Sequence, residues 1–471
     1  MTHRFICYLK HNQSGNITIP YGQLYDVSAK KSAIPRTLIP ATQEGWNAAS
    51  SVSKRDSPPC RPDVSSHGSK GARHLDSDIW CRIYSLLQMQ DAARAACVSR
   101  SSLGYWRCHP NLTFTNEKMC PKENLDYNNK IDCVLRNRSC ADAVTKLKLD
   151  YHVPPDGAES YHRLDSWLQM AVTPRTEELE LLVSWKEARF KFPCTLLPPR
   201  CGDSIQKLFL FRCALRLTFQ LALRSLKTLH LRDVRVTGED LGRLLSGSTA
   251  LEHLKLVYCD DIVRLEIPCL LQRLSFLEVA GCMKLQRVNA PMAASSKFLH
   301  LKFLSILLIN RWNFHRDYDY LSLVPFLDAS PFLETFRLYV CEQSMWMYDW
   351  FEGDPSSLRR MPQHCHGNLK SVKIIGFFPQ KSMVELACHL LENTTSHESL
   401  TVDTSPATYR CSVSKPARKC CPLEVSAIVK AHRFSRRRLP LPRNVPSTVK
   451  LNVPEPCGRC HRLKKSDAKS V

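Results

Sequence analysis

One pattern recurs through the middle of the chain. Two apolar residues flank a variable one, two more variable residues follow, and a cysteine closes the unit. It reads Leu208-x-Leu210-x-x-Cys213, Leu254-x-Leu256-x-x-Cys259, Leu277-x-Val279-x-x-Cys282 and Phe336-x-Leu338-x-x-Cys341. Leu229-x-Leu231-x-x-Val234 keeps the pattern with valine in the last place. Starts at 208, 229, 254 and 277 lie 21, 25 and 23 residues apart. Alternation at period two predicts short strands whose apolar residues share one side. The same alternation predicts strands at 147–149, 179–181, 304–306, 372–374 and 400–402. Between strands, Thr237 to Leu245 reads as a helix. It has a capping threonine, early carboxylates and apolar Leu241, Leu244 and Leu245. Tyr320 to Leu327 reads similarly, and Asn310 to Asp319 reads as an inserted loop. No such unit covers its own apolar face, so neighbours must stack. Four cysteines in one register set aside a generic α/β domain.

This period resembles that of leucine-rich repeats, which run about 20–29 residues with Asn or Cys closing the strand. The resemblance implies a solenoid with parallel strands on a concave face and helices and loops on the convex face. Cys213, Cys259, Cys282 and Cys341 are then structural positions, turned inward to support the bend after each strand. Concave positions such as Lys148, Glu180, Phe209, His230, Lys255, Glu278 and Arg337 have mixed chemistry that identifies no target.

A helical pattern precedes the repeats. Ile79, Ile83, Leu86 and Leu87 recur at helical spacing, with Asp78 placed for the first turn. Gln88 to Asp91 interrupts, and Asp91 is positioned to cap a second helix with small Ala92, Ala93, Ala95, Ala96 and Val98. Leu103 and Trp106 follow a polar break at Ser99 to Ser102. About forty residues of short helices cannot bury this surface alone. Leu75, Asp78, Ile79, Ile83, Leu86, Asp91, Val98, Ser99, Arg100 and Trp106 resemble the F-box, and Asp91 to Leu112 is similar to plant F-box/leucine-rich-repeat proteins. Asp76 and Gln88 stand where that family has prolines. The resemblance implies docking on a Skp-type adaptor, and through it on a cullin, with Leu75, Ile79, Ile83, Leu86, Leu87, Val98 and Trp106 as contacts. Some of these must instead hold the module together, and sequence does not separate the two groups.

His366 to Phe377, the helix pattern Met383 to Asn393, and Pro446 to Val453 resemble the FBD segment that follows the repeats in many such proteins. The expected fold class is α/β: a short all-helical F-box module, then the solenoid. The expected segments are a disordered basic, Ser- and Pro-rich 1–74, the F-box-like module 75–114, repeats 115–365, an FBD-like 366–461 and a basic tail 462–471. The resemblance implies a substrate-recognition subunit of a Skp–cullin–F-box ubiquitin ligase that binds a target protein for ubiquitination. The alternative is a repeat scaffold with a degenerate F-box, binding protein or nucleic acid outside a ligase. A receptor that uses a small molecule to hold its substrate also stays open, with no residue set marking a pocket.

Composition narrows the rest. No apolar run reaches the roughly 20 residues needed to span a bilayer, and Met1 to Lys10 lacks a secretory core. The 22 cysteines are therefore read as reduced thiols, and localisation as cytoplasmic, nuclear or both. Cys457-Gly-Arg-Cys-His461 matches a haem-attachment spacing, which that compartment sets aside. The net charge is +22, and residues 410–471 hold 16 Lys and Arg against 3 acids. Arg433 to Arg438, with Arg436-Arg-Arg438 inside, fits a nuclear localisation signal or nucleic acid, but no nucleic-acid-binding motif accompanies it. A solvated basic tail, or steering of an acidic substrate, is the plainer reading. The chain has no phosphate-binding glycine loop, nucleophile elbow or kinase signature, so it reads as a non-catalytic subunit without cofactor or metal.

Overall fold

The computed structural model describes residues 10–11, 17–18, 77–115, 124–138, 140, 144–151, 160–184, 190–197, 203–219, 221–268, 270–289, 297–310, 318–342, 350–362, 364–394, 399–405, 425–437, 439 and 451–456. The chain divides into two compact units, one of residues 23–184 and one of 1–22 with 185–471. Strands β1 (Lys10–His11) and β2 (Ile17–Thr18) pair antiparallel. The rest of the segment read as disordered, the start of the module at Leu75 and Asp76, the 311–317 insertion and the 457–461 motif lie outside the described residues.

In the 23–184 unit, helices α1 (Ser77–Leu86), α2 (Met89–Ala96) and α3 (Arg100–Arg107) precede β3 (Asn111–Phe114). Then come α4 (Asn124–Arg136), β4 (Lys146–Tyr151), α5 (Ser160–Ala171) and β5 (Glu178–Val183). β3, β4 and β5 are parallel, with Leu112, Leu147 and Leu179 in one register and Phe114, Leu149 and Leu181 in the next. All six side chains are buried. The last residues of the helical module therefore already form a strand of the ladder. Tyr127 of α4 ties two strand ends, its single hydroxyl proton shared between the carbonyls of Phe114 (2.9 Å) and Asp150 (2.7 Å).

The larger unit contains β6 (Lys207–Phe211), β7 (Thr228–Arg232), α6 (Gly238–Ser246), β8 (His253–Val257), β9 (Arg264–Glu266), β10 (Phe276–Ala280), β11 (Arg287–Asn289) and β12 (Phe303–Asn310). It continues with α7 (Val324–Asp328), β13 (Thr335–Glu342), β14 (Ser371–Ile375), α8 (Lys381–Asn393), β15 (Ser399–Asp403), α9 (Val425–Arg437) and β16 (Leu451–Asn452). β6, β7, β8, β10, β12, β13, β14, β15 and β16 pair in that order, all parallel. The short strands β9 and β11 pair separately. Leu208, Leu229, Leu254, Leu277, Leu304, Phe336, Val372 and Leu400 form one buried row across the sheet. Each leucine in it is a core position whose truncation to alanine costs about 2–5 kcal/mol. The segment read as FBD-like supplies β14 to β16, so it continues this sheet. Thr237 caps α6 as the sequence predicts, its hydroxyl accepting from the Asp240 amide at 3.1 Å.

Each strand needs a way out. Arg212, Asp233, Tyr258, Gly281 and Gly376 all hold positive φ, between 53° and 77°. Each lies four residues after the leucine or valine that opens its repeat. This left-handed residue turns the chain, so that the next side chain points back inward. Cys213, Cys259 and Cys282 fill that inward place, and Val234 fills it once. The Cys259 thiol donates to the Leu231 carbonyl of the neighbouring strand at 3.6 Å. Cys341 differs: β13 runs on to Glu342, so this cysteine lies within a strand, opposite Ile309. Burial raises the Cys213 thiol above its ordinary pKa, and the hydrogen bond with Cys259, then burial, raises Cys282, which leaves both protonated and inert.

Gly376→Ala is expected to destabilise the larger unit by roughly 3 kcal/mol, from left-handed strain and overpacking together. A β-carbon there collides with the Val340 carbonyl oxygen, a backbone atom that cannot swing aside. The urea midpoint measures this, and an unchanged midpoint would show the turn to be dispensable.

Candidate functional site

The helical module presents two faces. Trp80 and Tyr84 follow one stripe of α1 and turn toward α3, where Tyr105 lies 6.3 Å from the Trp80 ring and 5.6 Å from the Tyr84 ring. Ile79, Ile83 and Leu86 follow the other stripe. They remain 44%, 36% and 71% exposed, and Val98 after α2 is 86% exposed. Four of the eight large exposed apolar side chains among the described residues thus fall within 20 positions of one another. Scattered exposed leucines need no explanation, but a concentration does.

The seven predicted contacts separate on this geometry. Ile79, Ile83, Leu86 and Val98 are available to a partner. Leu87 and Trp106 are half-buried, Trp106 against His109 with ring centroids 6.0 Å apart. Leu75 lies outside the described residues. The sequence missed Trp80 and Tyr84 as the inward stripe. The signal was there at i, i+4, since bulky aromatics hold a small module better than isoleucines.

Two local expectations are corrected. Asp91 does not cap α2. The helix begins at Met89, and Asp91 sits in its first turn, paired at the surface with Arg94 at 3.0 Å. Gln88 occupies the cap position with φ −67°, a value proline also adopts. The departure at Gln88 therefore leaves the local path intact. Nor are all thiols reduced: Cys108 at the end of α3 is joined to Cys140, their α-carbons 5.1 Å apart. Arg138 brings the segments together by donating to the carbonyls of His109 (3.0 Å) and Cys140 (3.4 Å).

His109 locks α1 to β3. Its Nδ1 accepts from the Asn111 amide at 3.1 Å, which leaves Nε2–H to donate to the Leu87 carbonyl at 3.2 Å. Asn111 Nδ2 adds a bond to the Ser85 carbonyl at 3.0 Å. Burial lowers the His109 pKa below its ordinary 6.5, favouring the neutral ring that this geometry needs. The folded value lies below the unfolded one. Stability from this lock is full above about pH 6.5 and falls as the unfolded chain takes a proton that the fold refuses. Melting curves should show acid sensitivity below that pH, flattened by His109→Gln. Identical pH profiles for the two proteins would refute the assignment.

The second surface is the sheet face opposite the core, in the larger unit. Phe209, His230, Lys255, Glu278, Ser305, Arg337 and Lys373 form one row across it. Phe276 and Phe303 in the adjoining row stack with centroids 4.5 Å apart and planes 4° apart. Lys255 stands 5.0 Å from the Phe276 ring, and Arg337 stands 5.1 Å from the Phe303 ring. Lys255 also pairs with Glu278 at 3.3 Å. Val257, Ala280 and Leu307 form a small apolar cluster on this face, with Tyr258, Ile309 and Tyr339 packed against it. In the 23–184 unit, Lys148 and Glu180 face each other across neighbouring strands at 2.8 Å. The larger face combines flat aromatic surface with cations placed over it. No described helix is long and apolar enough to cross a membrane.

Comparison with known proteins agrees with the repeats. The family described as At1g61320/AtMIF1, LRR domain, matches residues 134–291 and 285–458. An Arabidopsis thaliana protein named for F-box, FBD and LRR-repeat segments, At4g26350, is similar over 101 residues at 34% identity. That alignment covers 21% of this chain and 23% of the relative, so it spans under a quarter of that protein's length.

Proposed function

The chain belongs to the At1g61320/AtMIF1 leucine-rich-repeat domain family, and on that footing we propose that it is the substrate-recognition subunit of a Skp–cullin–F-box ubiquitin ligase. The helical module docks on a Skp-type adaptor, and the open face of the sheet binds the target. The observation that carries this reading is the unpartnered apolar stripe Ile79, Ile83 and Leu86, with Val98 beside it, on a module locked to the first described strand of the ladder. An exposed stripe of that kind suits an apolar partner surface, because burying it removes apolar area from water.

Ligase chemistry belongs to the conjugating enzyme that the cullin recruits, and this chain supplies proximity. The target face sets Lys255 and Arg337 over phenylalanine rings, beside an apolar cluster. It suits a protein segment carrying acidic and apolar side chains, and the net charge of +22 steers such a segment toward it. The name of the Arabidopsis relative, which includes the F-box, supports the adaptor half of the proposal.

The test is capture of a purified Skp-type adaptor by the full-length chain, read by biolayer interferometry. Saturable binding supports the ligase reading. A folded chain that captures no adaptor overturns it and leaves a repeat scaffold with a degenerate module.

A further inference from the structure

We propose that Asp328, His364 and His366 form a site for a divalent cation of the zinc class. The fold brings them together from two places. Asp328 is the last residue of α7, and the histidines lie on the loop before β14. One ligand atom from each of the three residues lies within 4.8 Å of the other two.

The geometry is already close to that of a metal centre. Zinc holds nitrogen and oxygen ligands at about 2.0–2.2 Å in a tetrahedron, which puts ligand atoms ~3.3 Å apart. Asp328 Oδ1 and His366 Nε2 stand at 3.3 Å. The His364 and His366 rings approach to 5.4 Å at 62°, alternate residues of one loop converging on one point. Closing the remaining gap requires contraction by up to about 1.5 Å, within the range of side-chain torsions.

Burial argues the same way. His366 is only 4% exposed, and the buried Asp328 Oδ1 faces its Nε2 at 3.3 Å. A buried carboxylate beside an imidazole nitrogen is a pair that a cation can share. Two imidazoles and a carboxylate are a donor set that suits zinc and its neighbours.

The loop is also held in place beforehand. The Asn393 carbonyl accepts from the His366 amide at 2.8 Å, and Asn393 Oδ1 accepts from the His364 amide at 3.2 Å. Asn393 Nδ2 reaches His389 Nδ1 at 3.2 Å, so His389 stands beside the site as a support rather than a ligand. A bound cation would tie the end of α7 to the loop that feeds β14. Three protein ligands leave a fourth position for water or a partner's side chain.

The test uses the full-length chain, stripped with a chelator and titrated with zinc chloride against a chromophoric competitor. Thiolates in general bind zinc, so the readout is the difference between the wild type and His364→Gln. His364 is half-exposed, and its replacement leaves the fold's core untouched. The expected result is loss of one bound zinc, or at least ~10-fold weaker binding at one site, in the variant. Asp328→Asn should repeat that loss. Cobalt should give intense visible d–d bands in the wild type that fade in both variants. Equal zinc stoichiometry and equal cobalt spectra in wild type and variants would overturn the site.

Discussion

Replacing Ile79 and Leu86 together by aspartate is expected to abolish capture of a Skp-type adaptor while leaving the melting of the repeats unchanged. Both side chains stand on the solvent stripe of α1, so the folded chain loses little when they change. Exposed substitutions usually move stability by no more than about 0.5 kcal/mol. The interface responds differently. A central apolar contact is worth about 2 kcal/mol or more, and a carboxylate forced into its place must also be desolvated. Two such changes should weaken binding by roughly a thousandfold or more. The control is Tyr84→Asp. That residue is buried against Tyr105, so its replacement should unfold the module itself. Wild-type affinity in the double variant would mean that docking uses another face. Loss of the repeat transition would mean that α1 is structural. Interferometry and a denaturation profile of the same preparations distinguish the three results.

The repeats were readable in the sequence because the ladder repeats one decision. Leu208, Leu254 and Leu277 point inward for the same steric reason, and each copy reinforces the period. The turn after each strand was half readable. Cys213, Cys259 and Cys282 marked the inward place, but the left-handed residue before it is Arg212, Tyr258 or Gly281, and only glycine announces such a conformation. The module was readable as helices but not as faces. Ile79 and Leu86 look like core residues by hydropathy, and the inward stripe of half-buried Trp80 and buried Tyr84 became plain only when Tyr105 came opposite them. Helix α8 misled in the other direction. Its sequence places Val384, Ala387, Leu390 and Leu391 on one apolar face, yet Glu385 and His389 are buried too. Their partners Arg359 and Asn393 lie 26 and 4 residues away, and no local period reports a contact like the first of these.

That first contact carries the largest stability effect expected. The Glu385 side chain is fully buried, and Arg359 answers it three times: the backbone amide reaches Oε1 at 2.8 Å, and Nε and Nη2 reach Oε2 at 2.9 and 2.6 Å. The same guanidinium forks onto Asp319 at 2.9 and 2.7 Å, and the two carboxylates raise the Arg359 pKa above its ordinary value. Arg359→Ala leaves a buried carboxylate with one backbone bond. Breaking a buried pair in this way costs about 3–5 kcal/mol, against at most about 1 kcal/mol for an exposed pair such as Arg94 with Asp91. Arg359→Lys keeps the charge but loses the fork, so it should recover only part of the difference. Urea unfolding of the full chain gives the order: wild type, then lysine, then alanine. An alanine variant within 1 kcal/mol of wild type would mean that water replaces the guanidinium, and that Glu385 is less enclosed than its burial indicates. The cost has a functional side as well. Asp319 precedes the turn into α7, so the pair fixes the segment ending in Asp328 against α8, which holds His364 and His366 through Asn393. Losing Arg359 should therefore loosen both walls of the proposed cation site. Zinc affinity should fall in the alanine variant even at temperatures where the chain stays folded, and recover partly with lysine.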